Sequence, residues 1–344
     1  MEHIMTQTVA SPRRARPGPP GPAGRPYARG YRAPAAVRPA VRAAHRTRLA
    51  VTAAVAAGDQ LVLIAGVLAA AWPGWWAGPA RAAAGTLVVL AALVLSGRQI
   101  RALECLVHEA SHFNWSRHHR RANDRCATVL AGLPTGIRIA RYRAEHLLHH
   151  SRLGTDDDPD LRRYAELDIT GLDRTSRTRY ARSLLVRLAA HQRSWYRSTS
   201  TDLPALLLPV AWAAAVAVLP AALLWGTGAA VTAAAVWLAG FALVLPVLRF
   251  IGESSEHSYH DADTVFDSTV TNLGPLQRRL IHPHSDGYHT VHHLWPGAPH
   301  HQLRLLHDKL TADDPQGFAG RLRIRRRIVA EPSPLTPPGS TPWT

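Results

Sequence analysis

Cysteine and lysine are nearly missing from this 344-residue chain, and each absence narrows the reading. Cysteine occurs twice, as Cys105 and Cys126, too few for a disulfide framework. Both read as reduced thiols in a cytosolic setting. Lysine occurs once, at Lys309, so the net charge of +16 is carried almost wholly by arginine. A Gly-x-Gly-x-x-Gly following a strand is also missing, and no spare domain length is left for a fused flavin or haem module. The start of the chain lacks a short apolar region with a small-residue cleavage site, so it is not read as a secretory signal.

What is present is apolar surface in blocks. Hydrophobic residues make up 47% of the chain, yet the mean hydropathy of −0.09 hides four long apolar runs among polar stretches. The runs cover about 49–72, 80–97, 203–225 and 229–251, each close to the roughly 20 residues that cross a bilayer. They form two pairs joined by short turns, Pro73 to Pro79 and Gly226-Thr-Gly228. Asp59 interrupts the first run: either that helix starts near Gly58, or Asp59 faces the protein interior. The expectation is an all-α integral membrane protein, four transmembrane helices in two hairpins with a cytoplasmic helical cap. The membrane domain is 49–325. Residues 1–48, rich in Arg and Pro, and residues 326–344 read as disordered cytoplasmic tails.

Charge orients the hairpins. The first turn has only Arg81 nearby and the second has no charge, whereas the N-terminal tail, the segment 97–202 and the C-terminal segment are loaded with arginine. The positive-inside rule puts both termini and the middle segment in the cytoplasm of a multi-pass protein of the cell membrane. Such a basic balance first suggests nucleic acid, but topology accounts for it without that partner. Tyr180 to Tyr196 is basic with apolar Leu184, Leu185, Leu188 and Trp195; it reads as an interfacial amphipathic helix or as a helix packed on the site.

Histidine carries the chemistry. The chain has 20. His289-Thr-Val-His-His293 and His146-Leu-Leu-His-His150 place imidazoles at i, i+3 and i+4, and His108-Glu-Ala-Ser-His112 places two at i and i+4. On a helix such positions share a face. All three clusters fall on the cytoplasmic side of the expected spans. His257, four residues after Glu253, could add a ninth imidazole: His108, His112, His146, His149, His150, His257, His289, His292 and His293. Nine nitrogens exceed what one ion takes, so two metal ions are indicated; imidazole suits Fe, Zn, Cu and Ni alike. The soluble di-iron bundle pattern fits poorly, because only Glu109-x-x-His112 matches it. His108-Glu-x-x-His112 is also the pattern of zinc metalloproteases, with Glu109 as general base. That reading leaves both His-x-x-His-His triples unexplained. A His-rich metal transporter is a third reading, weakened because the clusters lie outside the spans.

The three clusters, their order and the paired spans resemble the membrane-bound fatty acid desaturase and hydroxylase family. The matching stretches are His108 to His112, His146 to His150 running on to Asp157-Asp-Pro-Asp160, and Tyr288 to His300. The resemblance covers roughly 50–310. It implies a non-haem centre of two Fe ions held by the nine histidines named above. It also implies an O2-dependent enzyme that desaturates, or on the same centre hydroxylates, an acyl chain or related membrane lipid. Asp158 resembles the family's acidic residue after the second box, placed to orient a ligand ring. Glu253 stands where some members have a polar residue that reaches the metal through water. Glu109, Asp158 and Glu253 are thus the carboxylates that could ligate or support the metal. Two electrons must come from a separate donor, a ferredoxin or similar carrier with its reductase, which the basic face would attract. Of the remaining histidines, His282 and His284 could support the ligands, and His118, His119, His300, His301 and His307 read as surface residues.

Overall fold

The computed structural model describes residues 30–200, 203–259 and 263–334. The fold is mostly helical, with a single three-stranded sheet of very short strands among the described residues. Four helices are long and apolar enough to cross a membrane: Leu49–Trp76, Pro79–Ser111, Ala205–Trp225 and Thr227–Glu256. We label the helices that position the site α1 (Leu49–Ala71), α2 (Pro79–Ser111), α3 (Arg120–Ala127), α4 (Ile139–Arg152), α5 (Pro159–Glu166), α6 (Arg177–Ser200), α7 (Ala205–Trp225), α8 (Thr227–Glu256), α9 (His289–Leu294) and α10 (His300–Asp313).

The apolar halves of the spans share a core rich in alanine beside larger residues such as Leu63, Trp237 and Phe241, and turn many leucines and valines outward. Ala70, Ala92, Ala217, Ala221 and Ala233 are buried in their shared core, while Leu61, Leu87, Leu90, Leu223, Val231, Leu238 and Leu243 are exposed. The buried alanines and the exposed leucines suit a lipid environment, where close helix approach rather than water exclusion drives packing. Trp72 and Trp76 are exposed at the turn between α1 and α2, as expected of interfacial anchors.

One crossing sets the position of the site. Gly97 of α2 meets Gly240 of α8 so closely that a Cβ on Gly97 would stand 2.6 Å from the Val244 side chain and 2.9 Å from the Gly240 carbonyl oxygen. Both helices then run on past their apolar stretches, α2 as one unbroken 33-residue helix. At 1.5 Å per residue this carries His108 about 16 Å beyond Gly97.

Asp59 resolves in favour of the interior. The α1 helix is continuous through it, and its carboxylate accepts from Gln99 Nε2 at 3.1 Å and lies 2.6 Å from His284 Nε2. In α6, Leu184 is buried and Leu188 partly buried, while Leu185 and Val186 are exposed, so the helix has an inner and an outer apolar face. The side chain of Trp195 lies outside the described ones.

The tails differ from their composition. Residues 30–48, grouped by composition with the disordered tail, contain a helix at Arg38–Ala44. Val37 and Ala44 are buried against the C-terminal part of the domain, and Tyr31 donates to Asp314 at 2.6 Å. Likewise Ser333–Pro334, inside the stretch read as a C-terminal tail, pairs antiparallel with Arg323–Arg325. Each segment carries too few apolar residues to fold alone, but each adds to an existing core. Residues 1–29 and 335–344, the rest of those tails, lie outside the described residues.

The small sheet holds the third histidine cluster. Thr271–Asn272 pairs parallel with Arg323–Arg325. The hydroxyl of Thr271 donates to that of Thr290, in the first turn of α9, at 3.0 Å, and the hydroxyls of Thr269 and Thr290 lie 2.9 Å apart.

Candidate metal centre

Four structural elements deliver the nine predicted imidazoles. His108 lies in the last turn of α2 and His112 caps its end. His146, His149 and His150 line one side of α4, and His289, His292 and His293 do so on α9. His257 is the residue that ends α8, fixed there by a bridge to Thr269.

The rings sort into two groups joined through their Nε2 atoms. In the first, His112 is 2.9 Å from His146, His146 is 3.1 Å from His150, and His292 is 3.0 Å from both His150 and His108. In the second, His257 is 2.9 Å from His289, His289 is 3.1 Å from His293, and His293 is 3.4 Å from His149. Five imidazoles thus converge on one point; in the second group His149, His257 and His293 converge on another, and His289 joins them through His257 and His293. The groups touch where the His150 and His293 rings stack at 4.2 Å.

Three rings have their tautomer fixed from behind. Nδ1 of His149 donates to Asp158 at 2.8 Å, Nδ1 of His257 donates to the Ser268 carbonyl at 3.2 Å, and Nδ1 of His108 faces Asp286 at 3.3 Å. Each Nε2 then presents a lone pair to its neighbours. Burial, reinforced by repulsion among the rings, pushes His112, His146, His150, His289, His292 and His293 well below the ordinary imidazole range. His257 is pushed down to about 3 by burial and by His149. Burial pulls His149 down too, but Asp160 and Asp158 outweigh it and raise it. Neutral rings are the form that binds metal.

This donor set fits a metal ion at each group. Two nitrogens about 2.1 Å from one ion stand about 3.0 Å apart at a right angle and about 3.4 Å apart at a tetrahedral angle. The spacings within both groups, 2.9 to 3.4 Å, lie in that range. Soft thiolate is absent from both groups.

The three carboxylates singled out in the sequence take different places. Asp158 lies against His149 and also accepts from the backbone of Gly154 and Asp160 at 2.9 Å each, capping α5. Glu253 joins neither group; its carboxylate accepts from Arg163 at 3.1 Å and faces His191 at 3.3 Å. Glu109 points away from the rings and accepts the His300 backbone N–H at 2.6 Å, at the start of α10. A metalloprotease base would have to face the metal, so the geometry argues against that reading.

Sequence reasoning missed Asp286. It lies three residues before the third cluster and collects His108, the Arg101 guanidinium at 3.0 Å and His282 Nδ1 at 3.5 Å. No spacing rule marks it, because two of its three partners, Arg101 and His108, come from α2. His282 therefore stands one residue behind His108, whereas His284 turns to Asp59. Glu256, His282 and Asp286 also cluster, but Arg101 reaches Asp286 and lies 3.6 Å from Glu256, so the cluster reads as an ion-pair network. His118 and His119 are exposed and His301 is half-buried. His300 and His307 are buried, contrary to expectation, because α10 packs that face into the cap with Leu303, Leu306 and Leu310.

A cavity of about 310 Å³ borders both groups, with His108, His146, His149, His257 and His289 in its wall. The family model described as Fatty acid desaturase matches residues 84–323. The chain belongs to the fatty acid desaturase family. The matched range begins in α2, ends in the small sheet and contains all nine imidazoles. Comparison with curated protein sequences gave no match. Family membership, four apolar helices and the two histidine groups together make this desaturase relative an oxidoreductase of a membrane.

Proposed function

We propose that each histidine group holds one iron ion and that the chain uses O2 and two external electrons to desaturate an acyl chain or a related lipid. The observation that carries this reading is the convergence of nine imidazoles, from α2, α4, α8 and α9, into two adjacent groups with metal-like spacing. His108, His112, His146, His150 and His292 would hold one ion, and His149, His257, His289 and His293 the other. Iron bound there supplies reductive activation of O2 against an unactivated C–H bond.

The chain's own residues do the rest. Asp158 and Asp286 orient His149 and His108, so their ligand nitrogens are fixed before metal arrives. Burial of the α9 ligands keeps bulk water from the side facing the sheet. Both termini and the centre are placed in the cytoplasm, where arginine concentrates and where a ferredoxin-like carrier with its reductase would deliver electrons. Reporter fusions test the topology: residues 76 and 227 should read outside, and residue 165 inside. The chemistry is tested by expressing the full chain in a lipid-producing host and analysing lipids by mass spectrometry. New unsaturated lipid that vanishes with His149→Ala is expected. Hydroxylated lipid alone would move the assignment to a hydroxylase, and no new lipid product would overturn it.

A further inference from the structure

The loop between α2 and α3 carries a dense run of cations that has no part in holding the metal. Arg117-His-His-Arg-Arg-Ala-Asn-Asp-Arg125 holds four arginines in nine residues. Arg120, Arg121 and Arg125 are exposed around a shallow depression that Arg117 and Cys126 also line. Among the described residues none of these three pairs with a carboxylate, and the one acid in the run, Asp124, is taken by Arg143. On α10, by contrast, Arg304 and Lys309 each have an aspartate one turn on, Asp308 and Asp313. Arg46 and Arg48 widen the basic area: both are exposed, and Thr47 between them accepts the Arg117 backbone N–H at 3.3 Å.

Two contacts with α1 set how far the run stands from the bilayer. Asp59, Arg98 and Gln99 are the first polar groups met on leaving the apolar stretches of α1 and α2. At that level Gln60 donates to the Leu130 carbonyl at 2.7 Å. Helical turns run unbroken from Arg120 to Leu130. Arg121, nine residues earlier, is therefore about 13 Å farther out, and Arg117, held at Thr47 just before α1, is about 16 Å or more. Headgroups take up about 5–7 Å on each side of the hydrocarbon. Arg120 and Arg121 thus stand in water beyond the phosphates, within reach of a soluble partner rather than of lipid.

The same loop is fastened to the metal centre. Phe113 follows His112 directly, and its ring centre lies 4.6 Å from the Arg120 guanidinium and 3.9 Å from that of Arg143. Asn123 donates to the Ala110 carbonyl at 3.0 Å and accepts from the backbone of Trp115 and Ser116. One residue, Phe113, separates this cationic surface from an imidazole of the five-imidazole group.

From these features we infer that the run is the docking surface of the electron carrier: an acidic one-electron protein sets its carboxylates on Arg120, Arg121 and Arg125 and delivers its electron past Phe113 to the five-imidazole group. This rests on the proposed desaturase reading. Unpaired surface cations speed and orient the approach of an acidic partner more than they hold it, which suits a carrier that must leave after each delivery. Each turnover oxidises two carriers by one electron apiece. Those two electrons, two protons from solvent and one hydrogen from each of two adjacent substrate carbons reduce one O2 to two waters and leave a double bond.

Iron-loaded full-length chain in phosphatidylcholine nanodiscs gives the test, with an acidic two-iron, two-sulfur ferredoxin as the probe and its affinity read by calorimetry. Wild-type affinity should fall steeply as salt rises from about 50 to about 300 mM. Arg120→Glu/Arg121→Glu should weaken binding by at least about tenfold and flatten that salt dependence. Arg304→Glu/Lys309→Glu changes the net charge equally and should alter binding by less than about twofold. Equal loss in both variants would assign the attraction to overall charge and overturn the inference. Undiminished ferredoxin binding in Arg120→Glu/Arg121→Glu overturns it too, including the case in which that variant instead loses affinity for added phosphatidylglycerol. If the charge reversal fails to fold, Arg121→Lys decides. The chain has one other lysine, Lys309, so carbodiimide coupling to ferredoxin carboxylates should join position 121. Coupling through Lys309 alone overturns the assignment. Lipid products in the host are scored apart from binding. Unsaturated lipid made by a wild type that binds no ferredoxin overturns the inference alone, and no unsaturated lipid overturns the desaturase reading and the inference with it.

Discussion

The five-imidazole and four-imidazole groups use the same side chain but are supported differently. In the first, the fixed ring is His108, and its support Asp286 also takes Arg101 and His282, so orientation depends on a charged network between α2 and the loop before α9. In the second, His149 leans on Asp158, a helix cap held by backbone N–H groups, and His257 leans on a backbone carbonyl. Local backbone fixes one group, and a tertiary ion-pair network fixes the other. The second should therefore tolerate changes elsewhere in the fold better than the first.

The largest expected effect removes a ligand from either group. His149→Ala, His257→Ala and His292→Ala should each abolish product and lower bound iron while leaving membrane insertion intact, because a buried ring is lost from a shared donor set. His257 is the sharpest case, since it lies outside the three boxes. Full activity in His257→Ala would show that eight imidazoles suffice.

Next come the supports. Asp158→Asn and Asp286→Asn should each weaken metal binding by about 10–100-fold, read by chelator competition. Asp286→Asn should also lower thermal stability, because it leaves Arg101 and His282 with Glu256 as their one shared carboxylate. Equal stability loss in both variants would erase the contrast between the groups.

Acidification should act on both groups together. Six group rings are held well below the ordinary value and His257 at about 3, while an unfolded chain takes up protons on the same rings near about 6.5. The unfolded state then binds more protons, so the metal-free protein should lose stability as pH falls through about 6.5. His149 and His282, raised by carboxylates against the pull of burial, oppose this but are outnumbered. Thermal melts of metal-free protein between pH 7.5 and 5.5 check the sign, and a rising midpoint on acidification would contradict it.

Smaller effects are expected away from both groups. Glu109→Ala leaves the His300 N–H unpaired and should cost about 1–3 kcal/mol of stability, with iron content unchanged. His118→Ala should change neither product nor iron, since that ring is exposed.

The parts of this account that are local in sequence were legible there. Apolar runs and i, i+3, i+4 histidines are short-range patterns, so the four spans and the three histidine clusters can be read directly. Asp286, His191 and the Glu104–Arg249 pair are not legible, because each acquires its partners from elements far away in the chain. Glu109 shows the opposite error: a five-letter pattern names a role, but the direction of the carboxylate is set by α10. Residues 30–48 were misjudged because composition averages over a window, whereas Tyr31, Val37 and Ala44 need only a ready-made core to dock on.

Metal content of the purified full-length chain tests the central claim most directly. Two groups of converging imidazoles predict about two iron ions per chain, with the loss of one imidazole from either group lowering that content. A single zinc ion per chain, retained in His257→Ala and His149→Ala, would contradict it.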